Sequence, residues 1–327
     1  MTTKIGIIGY GNIGRGVHQA ILLNARIFGD VSLGGIITRR PDDVRREQPG
    51  VTIVGLDTSL EIDVAILCGG SATDLPQQGP ALLSRYNTVD SFDTHARIPE
   101  YFAQMDEAAK AAGHVAVIAA GWDPGTFSLE RALADAFLPG AHPVGFYGVA
   151  ASGGLSMGHS DAIRRVEGVE DARQYTHAIP SAIERARRGE PLTPGEMHWR
   201  ECFVVARDGA DKDRIAREIK AMPHYFAPYE TSVAFIDADE LREKHGGMPH
   251  DGMVVATATT AGGARGVIEY GNRWDSNPAA TAGILVAYAR AADRLRRDGR
   301  CGAFTVLDIP PAYVSPRSRA RLLDEFV

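Results

Sequence analysis

The sequence has 327 residues, of which 44% are hydrophobic, 23% charged and 7% aromatic, with 36 glycines and 18 prolines spread along it. That length and balance describe a globular protein of about two domains and exclude wholesale disorder. A formal charge of −6 with no strongly basic half excludes nucleic-acid binding by phosphate neutralisation, so the expected ligand is a small molecule.

The chain enters an apolar run directly after Met1-Thr2-Thr3-Lys4, with no basic leader or cleavage signal. No stretch approaches the roughly 18 uninterrupted apolar residues of a membrane span, and the expected compartment is the cytoplasm. Lys4–Gly9 reads as a buried strand, followed by a helix over Ile13–Leu23 with Val17, Ile21 and Leu22 facing inward. Val31–Thr38, Thr52–Val54, Ile62–Cys68, Thr88–Asp90 and His114–Ala119 complete six strands, with helices over Leu75–Ser84 and Ile98–Ala112. Short apolar strands alternating with helices predict a Rossmann-type, doubly wound parallel sheet over residues 1–121, a dinucleotide-binding domain.

Beyond Gly121 the pattern changes. His142–Ala151, Ala172–His177, Trp199–Ala206, Thr231–Ile236, Met253–Thr259 and Gly266–Gly271 read as strands separated by one helix or by tight turns, with Ala261–Ala264 as a hairpin connection. The prediction for 122–277 is an α+β domain with a mostly antiparallel sheet. A long helix over Pro278–Arg297 and a strand over Phe304–Ile309 are expected to return to the first domain. Cys68, Cys202 and Cys301 lie far apart without metal-ligand spacing; they read as reduced core thiols, with no disulfide and no metal.

Gly9-Tyr10-Gly11-Asn12-Ile13-Gly14 is a G-x-G-x-x-G turn between a strand and a helix. Its glycines let the backbone approach a pyrophosphate, whose charge meets the helix N-terminus. The second strand ends in Thr38-Arg39-Arg40 where an NAD fold carries an acid for the ribose hydroxyl, so NADP is the expected dinucleotide. Asp93 and Asp123 stand on separate loops at the carboxyl edge of the sheet, where a nicotinamide would lie. A carboxylate there can take a proton from a substrate ammonium; turn formation is the other reading, since Asp123 precedes Pro124-Gly125. Ser160 reads as a helix N-cap, His159 as a structural hydrogen-bonding residue, and Arg200 as an arginine in an apolar strand that needs an anionic partner or an exposed face.

Gly9–Arg15, Thr38-Arg39-Arg40, Cys68–Asp74, Asp90–Asp93, Gly121–Gly125, Gly158–Asp161, Met248-Pro249-His250 and Asn277-Pro278 together resemble the meso-diaminopimelate dehydrogenase family, in that family's order and across essentially the whole chain. The resemblance implies NADP-dependent, reversible oxidative deamination of meso-2,6-diaminopimelate at its D-centre by a homodimer, with 122–277 as the substrate-binding and dimerisation domain. It implies cofactor contacts from Gly9, Gly11, Asn12, Ile13, Gly14, Thr38, Arg39, Arg40, Cys68, Gly69, Gly70, Ser71, Thr73, Ser91, Phe92, Asp93, Ala120, Gly121, Trp122, Asp123 and Pro124. Asp93 and Asp123, beside Trp122, would meet the reacting amino group. Met157 and Gly158 would line the substrate pocket, and Thr176, Arg200, His250 and Asn277 would hold the carboxylates and the distal centre. Ala151-Ser152-Gly153-Gly154-Leu155 stands where the family pattern has an aromatic and a proline; either a lengthened loop restores the wall, Phe146 and Tyr147 being the nearest aromatics, or the pocket is more open and takes a wider range of D-amino acids. The alternatives are a broader D-amino acid dehydrogenase, another NADP-dependent oxidoreductase of the glucose-fructose type, whose Glu-Lys-Pro motif is absent, and a non-catalytic NADPH sensor.

Overall fold

A computed structural model describes residues 2–223 and 225–327. The chain divides into two compact units, Met1–Leu129 with Pro278–Val327, and Glu130–Asn277. Its elements begin with β1 (Thr3–Ile8), α1 (Asn12–Phe28), β2 (Val31–Ile37), α2 (Pro41–Glu47), β3 (Ile53–Val54), β4 (Val64–Leu67), α3 (Leu75–Leu82), β5 (Asn87–Asp90), α4 (Ile98–Ala112), β6 (Val115–Val117) and α5 (Thr126–Phe137). Next come β7 (Val144–Tyr147), β8 (Gly154–Leu155), α6 (Met157–Arg164), β9 (Val169–Ala178), α7 (Pro180–Arg187), α8 (Pro194–Met197), β10 (His198–Ala206), α9 (Lys212–Ala221), β11 (Glu230–Phe235), α10 (Ala238–His245), β12 (His250–Thr259) and β13 (Arg265–Trp274). The chain closes with α11 (Asn277–Arg297), β14 (Gly302–Phe304), α12 (Pro311–Val314) and α13 (Arg319–Phe326).

The first unit is a seven-stranded parallel sheet, β14-β6-β5-β4-β1-β2-β3. Strand alternation splits its side chains between two cores. Ile5, Ile7, Val64, Ile66, Val115 and Val117 pack with Val17 and Ile21 of α1 and with Leu285, Val286 and Ala289 of α11. Ile8, Ala65, Leu67 and Ala116 pack on the other face with Leu75 of α3 and Tyr101, Met105 and Ala109 of α4. Leu22, expected inside, is 51% exposed, because the inner stripe of α1 runs through Gly14, Val17, His18 and Ile21. Arg290 of α11, 2% exposed at its side chain, pairs with Asp30 and donates to Asn24 Oδ1 (3.2 Å) and the Val314 carbonyl (3.0 Å). The last strand ends at Phe304 rather than reaching Ile309: the N–H and hydroxyl of Thr305 both donate to Asp308 (2.7 and 2.8 Å), which turns the chain, while Val306 and Ile309 are buried without joining the ladder. The Gly121–Gly125 loop lies inside this unit, whose first stretch runs on to Leu129.

The second unit holds two sheets, β11-β10-β9-β8 and β13-β12-β7, antiparallel except for the β10–β11 pair. Five helices, α6 to α10, lie between its strands where one was expected. They are short and bury at most three apolar residues apiece, α8 none: α9, capped by Asp211, buries Ile215 and Ile219 against Ala172, Cys202 and Val204, and α7 buries Ala182, Ile183 and Ala186. So brief an apolar stripe gives little periodicity to read. Ser160 is not a cap but lies inside α6; Ser156 is the N-cap, accepting from the His159 N–H. Cys202 is buried and Cys68 half-buried, but Cys301, expected in the core, is exposed. No described helix is long and apolar enough to cross a membrane.

Candidate active site

Gly9 takes φ +92°, a left-handed value that suits glycine, and a Cβ on Gly14 would meet the Gly9 carbonyl oxygen at 2.2 Å. α1 therefore starts hard against the end of β1. Its N-cap, Gly11, offers no side chain, and a Cβ placed there would meet nothing within 4 Å. Open space over a helix N-terminus next to Asn12 and Ile13 fits a dinucleotide pyrophosphate.

At the end of β2, Thr38 is buried and its hydroxyl accepts the Arg40 N–H (3.3 Å). Arg39 and Arg40 are exposed, and Arg39 reaches Asp74 at 3.3 Å. Asp74 in turn accepts the Gly70 N–H (3.0 Å), shaping the Cys68–Thr73 turn after β4, and Ser71 Oγ accepts the Asp93 N–H (3.2 Å). Burial pushes the Cys68 thiol up to about 12, so it stays protonated and unreactive.

β5 and β6 end in the loops that carry Asp93 and Asp123. Phe92 is buried and stacks on Tyr101 at 4.2 Å, leaving Asp93 exposed. Trp122 is 5% exposed against Phe127, with ring centroids 4.2 Å apart. The Gly121 N–H donates to the Pro124 carbonyl (3.0 Å), closing the loop around half-buried Asp123, and the Asp123-Pro124 peptide is cis. A Cβ on Gly121 would meet that of Ser91 at 3.2 Å, so the two loops run side by side. Beneath them lies Asp90, a fully buried carboxylate that the sequence reading assigned no role. Burial pushes it up to about 6 against the pull of its three hydrogen bonds.

In the second unit Thr176 on β9 and Arg200 on β10 are cross-strand partners, and the guanidinium donates to the Thr176 hydroxyl. Arg200 is 7% exposed and stacks over Tyr229 at 4.1 Å. Among the described residues no carboxylate lies within ion-pair distance of it, and its Nε–H has no acceptor. His159 and His198 are pulled down to about 3 and about 4, by burial first and by the Arg200 charge second, so both are neutral at pH 7. His159 bonds through Nδ1 to Ser156 Oγ (2.7 Å), a structural tie. Asn277 Nδ2 donates to the Leu155 carbonyl (3.3 Å), and His250 Nδ1 would lie 3.1 Å from a Cβ on Gly154. Met157 and Gly158 occupy the first turn of α6, half-buried and exposed. Thus Thr176 and Arg200 meet directly, while His250 lies against Gly154 and Asn277 against Leu155.

That segment is not loose. Ala150 N–H donates to Asp251 Oδ2 (2.7 Å), Gly153 N–H to the Ala150 carbonyl (2.9 Å) and Leu155 N–H to the Pro249 carbonyl (2.8 Å). Gly148 and Gly153 hold φ of +67° and +69°, and a Cβ on either would strike Thr176 O at 1.8 Å or the His177 ring at 2.6 Å. Phe146 is wholly buried beneath Ala182 and Ile183, whereas Tyr147 is half-buried. Asp90 entered the sequence reading only as a strand end and part of a motif, and Asp251 and Tyr229 not at all, because the partners Ala119, Ala150 and Arg200 lie far off in the chain.

A parallel sheet with a glycine turn, joined to an α+β unit holding a buried guanidinium, defines an oxidoreductase of the dinucleotide-dependent dehydrogenase class. Residues 121–276 match the family described as Diaminopimelic acid dehydrogenase C-terminal domain. The chain is 51% identical to the meso-diaminopimelate D-dehydrogenase of Acetivibrio thermocellus, over 98% of this chain and 96% of that protein. The structure of C. glutamicum DAP dehydrogenase in complex with DAP matches at TM-score 0.92 and 42% identity, with both chains fully covered. An engineered D-amino acid dehydrogenase bound to NADP+ matches at TM-score 0.88 and 40% identity, again over both full lengths. The chain belongs to the meso-diaminopimelate D-dehydrogenase family, amino acid dehydrogenases whose chemistry implies a nicotinamide cofactor.

Proposed function

We propose that this protein catalyses the NADP-dependent, reversible oxidative deamination of meso-2,6-diaminopimelate at its D-centre, giving L-2-amino-6-oxopimelate and ammonia. The observation that carries the substrate reading is Arg200, a buried guanidinium with no protein carboxylate beside it. Such a charge calls for an anion from outside the chain, and a substrate carboxylate matches the guanidinium fork. Thr176, His250 and Asn277 add neutral polar groups for the distal centre, with Met157 and Gly158 at the pocket.

A nicotinamide held by the glycine turn and the loops that follow would supply the acceptor for hydride from the D-carbon. Asp93 and Asp123 take the proton of the substrate ammonium, so that its nitrogen lone pair is available as hydride leaves, and return one as water replaces ammonia. Trp122, buried beside Asp123, keeps water from that side. The glycine turn would hold the pyrophosphate, and the Cys68–Thr73, Ser91–Asp93 and Ala120–Pro124 loops the remainder. Preference for NADP over NAD rests on Thr38-Arg39-Arg40, where no acid competes for a ribose hydroxyl. The family resemblance adds a cytoplasmic homodimer.

A broader D-amino acid dehydrogenase is the second reading, favoured by the small residues of Ala151–Leu155; the hydrogen bonds that tie this segment oppose it. Cofactor reduction with meso-diaminopimelate, D-lysine, D-norleucine and D-phenylalanine decides between them. A preference of about a thousand-fold or more in kcat/KM for meso-diaminopimelate supports the first reading, and values within about ten-fold support the second. NADPH binding without turnover of any of the four would leave a cofactor sensor.

A further inference from the structure

The two aspartates assigned above to the reacting nitrogen sit on different loops, and one buried group joins those loops. Asp90 ends β5 with no exposed surface. Its Oδ1 accepts the N–H of Phe92 (2.9 Å) and that of Ala119 (3.2 Å), and its Oδ2 accepts the Tyr101 hydroxyl (2.8 Å). Its carbonyl accepts the Ala120 N–H (2.9 Å). Phe92 directly precedes Asp93, while Ala119 and Ala120 open the loop that carries Asp123. Ala119 is the only non-glycine among the described residues with a left-handed φ, +53°, a conformation that alanine rarely holds without an outside constraint. The Asp90 bond supplies that constraint. Tyr101, stacked on Phe92, reaches the same carboxylate from α4, so three elements converge on one group.

The geometry points to Asp90 as a positioning residue that sets the spacing of Asp93 and Asp123 by anchoring both their loops. The inference rests on the roles proposed for those two aspartates. A burial this complete disfavours a charged group, and tertiary structure retains it here because no apolar side chain accepts two N–H groups and a hydroxyl at once. An amide of the same shape does: its oxygen accepts both N–H groups and its NH2 donates to the Tyr101 oxygen. Alanine leaves both N–H groups without an acceptor and releases the loops. A shift on the ångström scale there costs about a hundred-fold in rate.

The test compares D90N, D90A and Y101F with the parent protein, with turnover normalised to sites that bind NADPH by fluorescence. D90N keeps kcat within about three-fold, Y101F loses roughly three- to ten-fold, and D90A loses about ten- to a hundred-fold, all with NADPH affinity and substrate KM within about three-fold. A merely structural anchor would lower the melting temperature and the binding-competent fraction, leaving kcat per competent site unmoved. Wild-type kcat per site in D90A or Y101F overturns the proposal, as does a D90N loss equal to that of D90A, which would put the weight on charge. Should D90A fail to fold, D90N and Y101F still decide. Amide ¹⁵N shifts of Asp93 and Trp122 give a second readout that needs no turnover: they move in Y101F and D90A and hold in D90N. If the parent protein turns over no D-amino acid, the aspartate roles fall, and those shifts judge the anchor alone.

Discussion

Asp90 of the first unit and Arg200 of the second are both deeply buried charges, and they are treated in opposite ways. Asp90 of the first unit is surrounded by donors: two backbone N–H groups and a phenol take up its oxygens. Arg200 of the second unit has a threonine hydroxyl and an aromatic face, an unused Nε–H and no counter-charge. A buried ion satisfied from within belongs to the architecture; one left unsatisfied is held ready for a ligand. On the function proposed above, the first unit's loops would carry the chemistry and the second unit's arginine the carboxylate recognition.

The largest effect comes from removing the waiting charge. Arg200→Leu lowers kcat/KM for meso-diaminopimelate by about a thousand-fold, the scale of two charge-assisted hydrogen bonds. Because an uncompensated buried ion leaves with it, the melting temperature holds or rises. A variant that unfolds instead would show that Arg200 is a structural ion like Asp90.

Asp123→Asn sharpens the division between the units. It keeps the shape of the loop and removes the charge, so kcat falls by about a hundred-fold while KM and NADPH affinity stay near their parent values, as for loss of a general base. Steady-state kinetics checks the split: Arg200 acting mainly on KM and Asp123 mainly on kcat. Equal effects on both parameters from both variants would dissolve the distinction.

Smaller is the effect at the adenosine end. Replacing Arg39 and Arg40 together by Ala weakens NADPH by about 2 kcal/mol, the low end of the scale for charged hydrogen bonds, since the Arg39 side chain is 69% exposed. NADH affinity, measured by the same fluorescence titration, stays unchanged. Equal parent affinities for the two cofactors would remove the basis for NADP preference.

A response to acid separates the buried histidines of the second unit from the buried carboxylate of the first by sign. His159 and His198, pulled down to about 3 and about 4, stay neutral in the fold but take up protons in the unfolded chain below their ordinary 6.5. From pH 6.5 down towards 4 they therefore withdraw stability, by up to about 1.4 kcal/mol per pH unit each. Asp90, raised to about 6 from 3.8, binds its proton more readily when folded, so over about pH 6 to 4 it adds stability as the pH falls. Hydrogen exchange at pH 7 and 5, corrected for intrinsic rates, shows β9 and β10 losing protection while β5 and β6 hold theirs.

How much was legible follows from the range of each interaction. The glycine turn could be read because its requirements are local: Gly14 must clear the Gly9 carbonyl five residues back. The strands β1 and β4 could be read because a sheet covered on both faces makes them unbroken apolar runs, IGII and VAIL. Helices α7 and α9 went unread because their apolar stripes are a turn or two long, and the end of β14 because apolar Val306 and Ile309 are buried without pairing. The small residues of Ala151–Leu155 suggested looseness, yet Asp251, a hundred residues away, holds the Ala150 amide.

By itself the sequence determined the parallel sheet, the dinucleotide turn, the arginines in place of an acid after β2 and the two aspartates at one sheet edge, all features set by neighbours along the chain. Tertiary structure alone decided that Asp90 is satisfied and Arg200 is not. Those states depend on Ala119 coming 29 residues round to meet one, and on no carboxylate coming near the other. Burial turns a side chain's charge into a demand, and only the packed fold settles whether the protein or a ligand meets it.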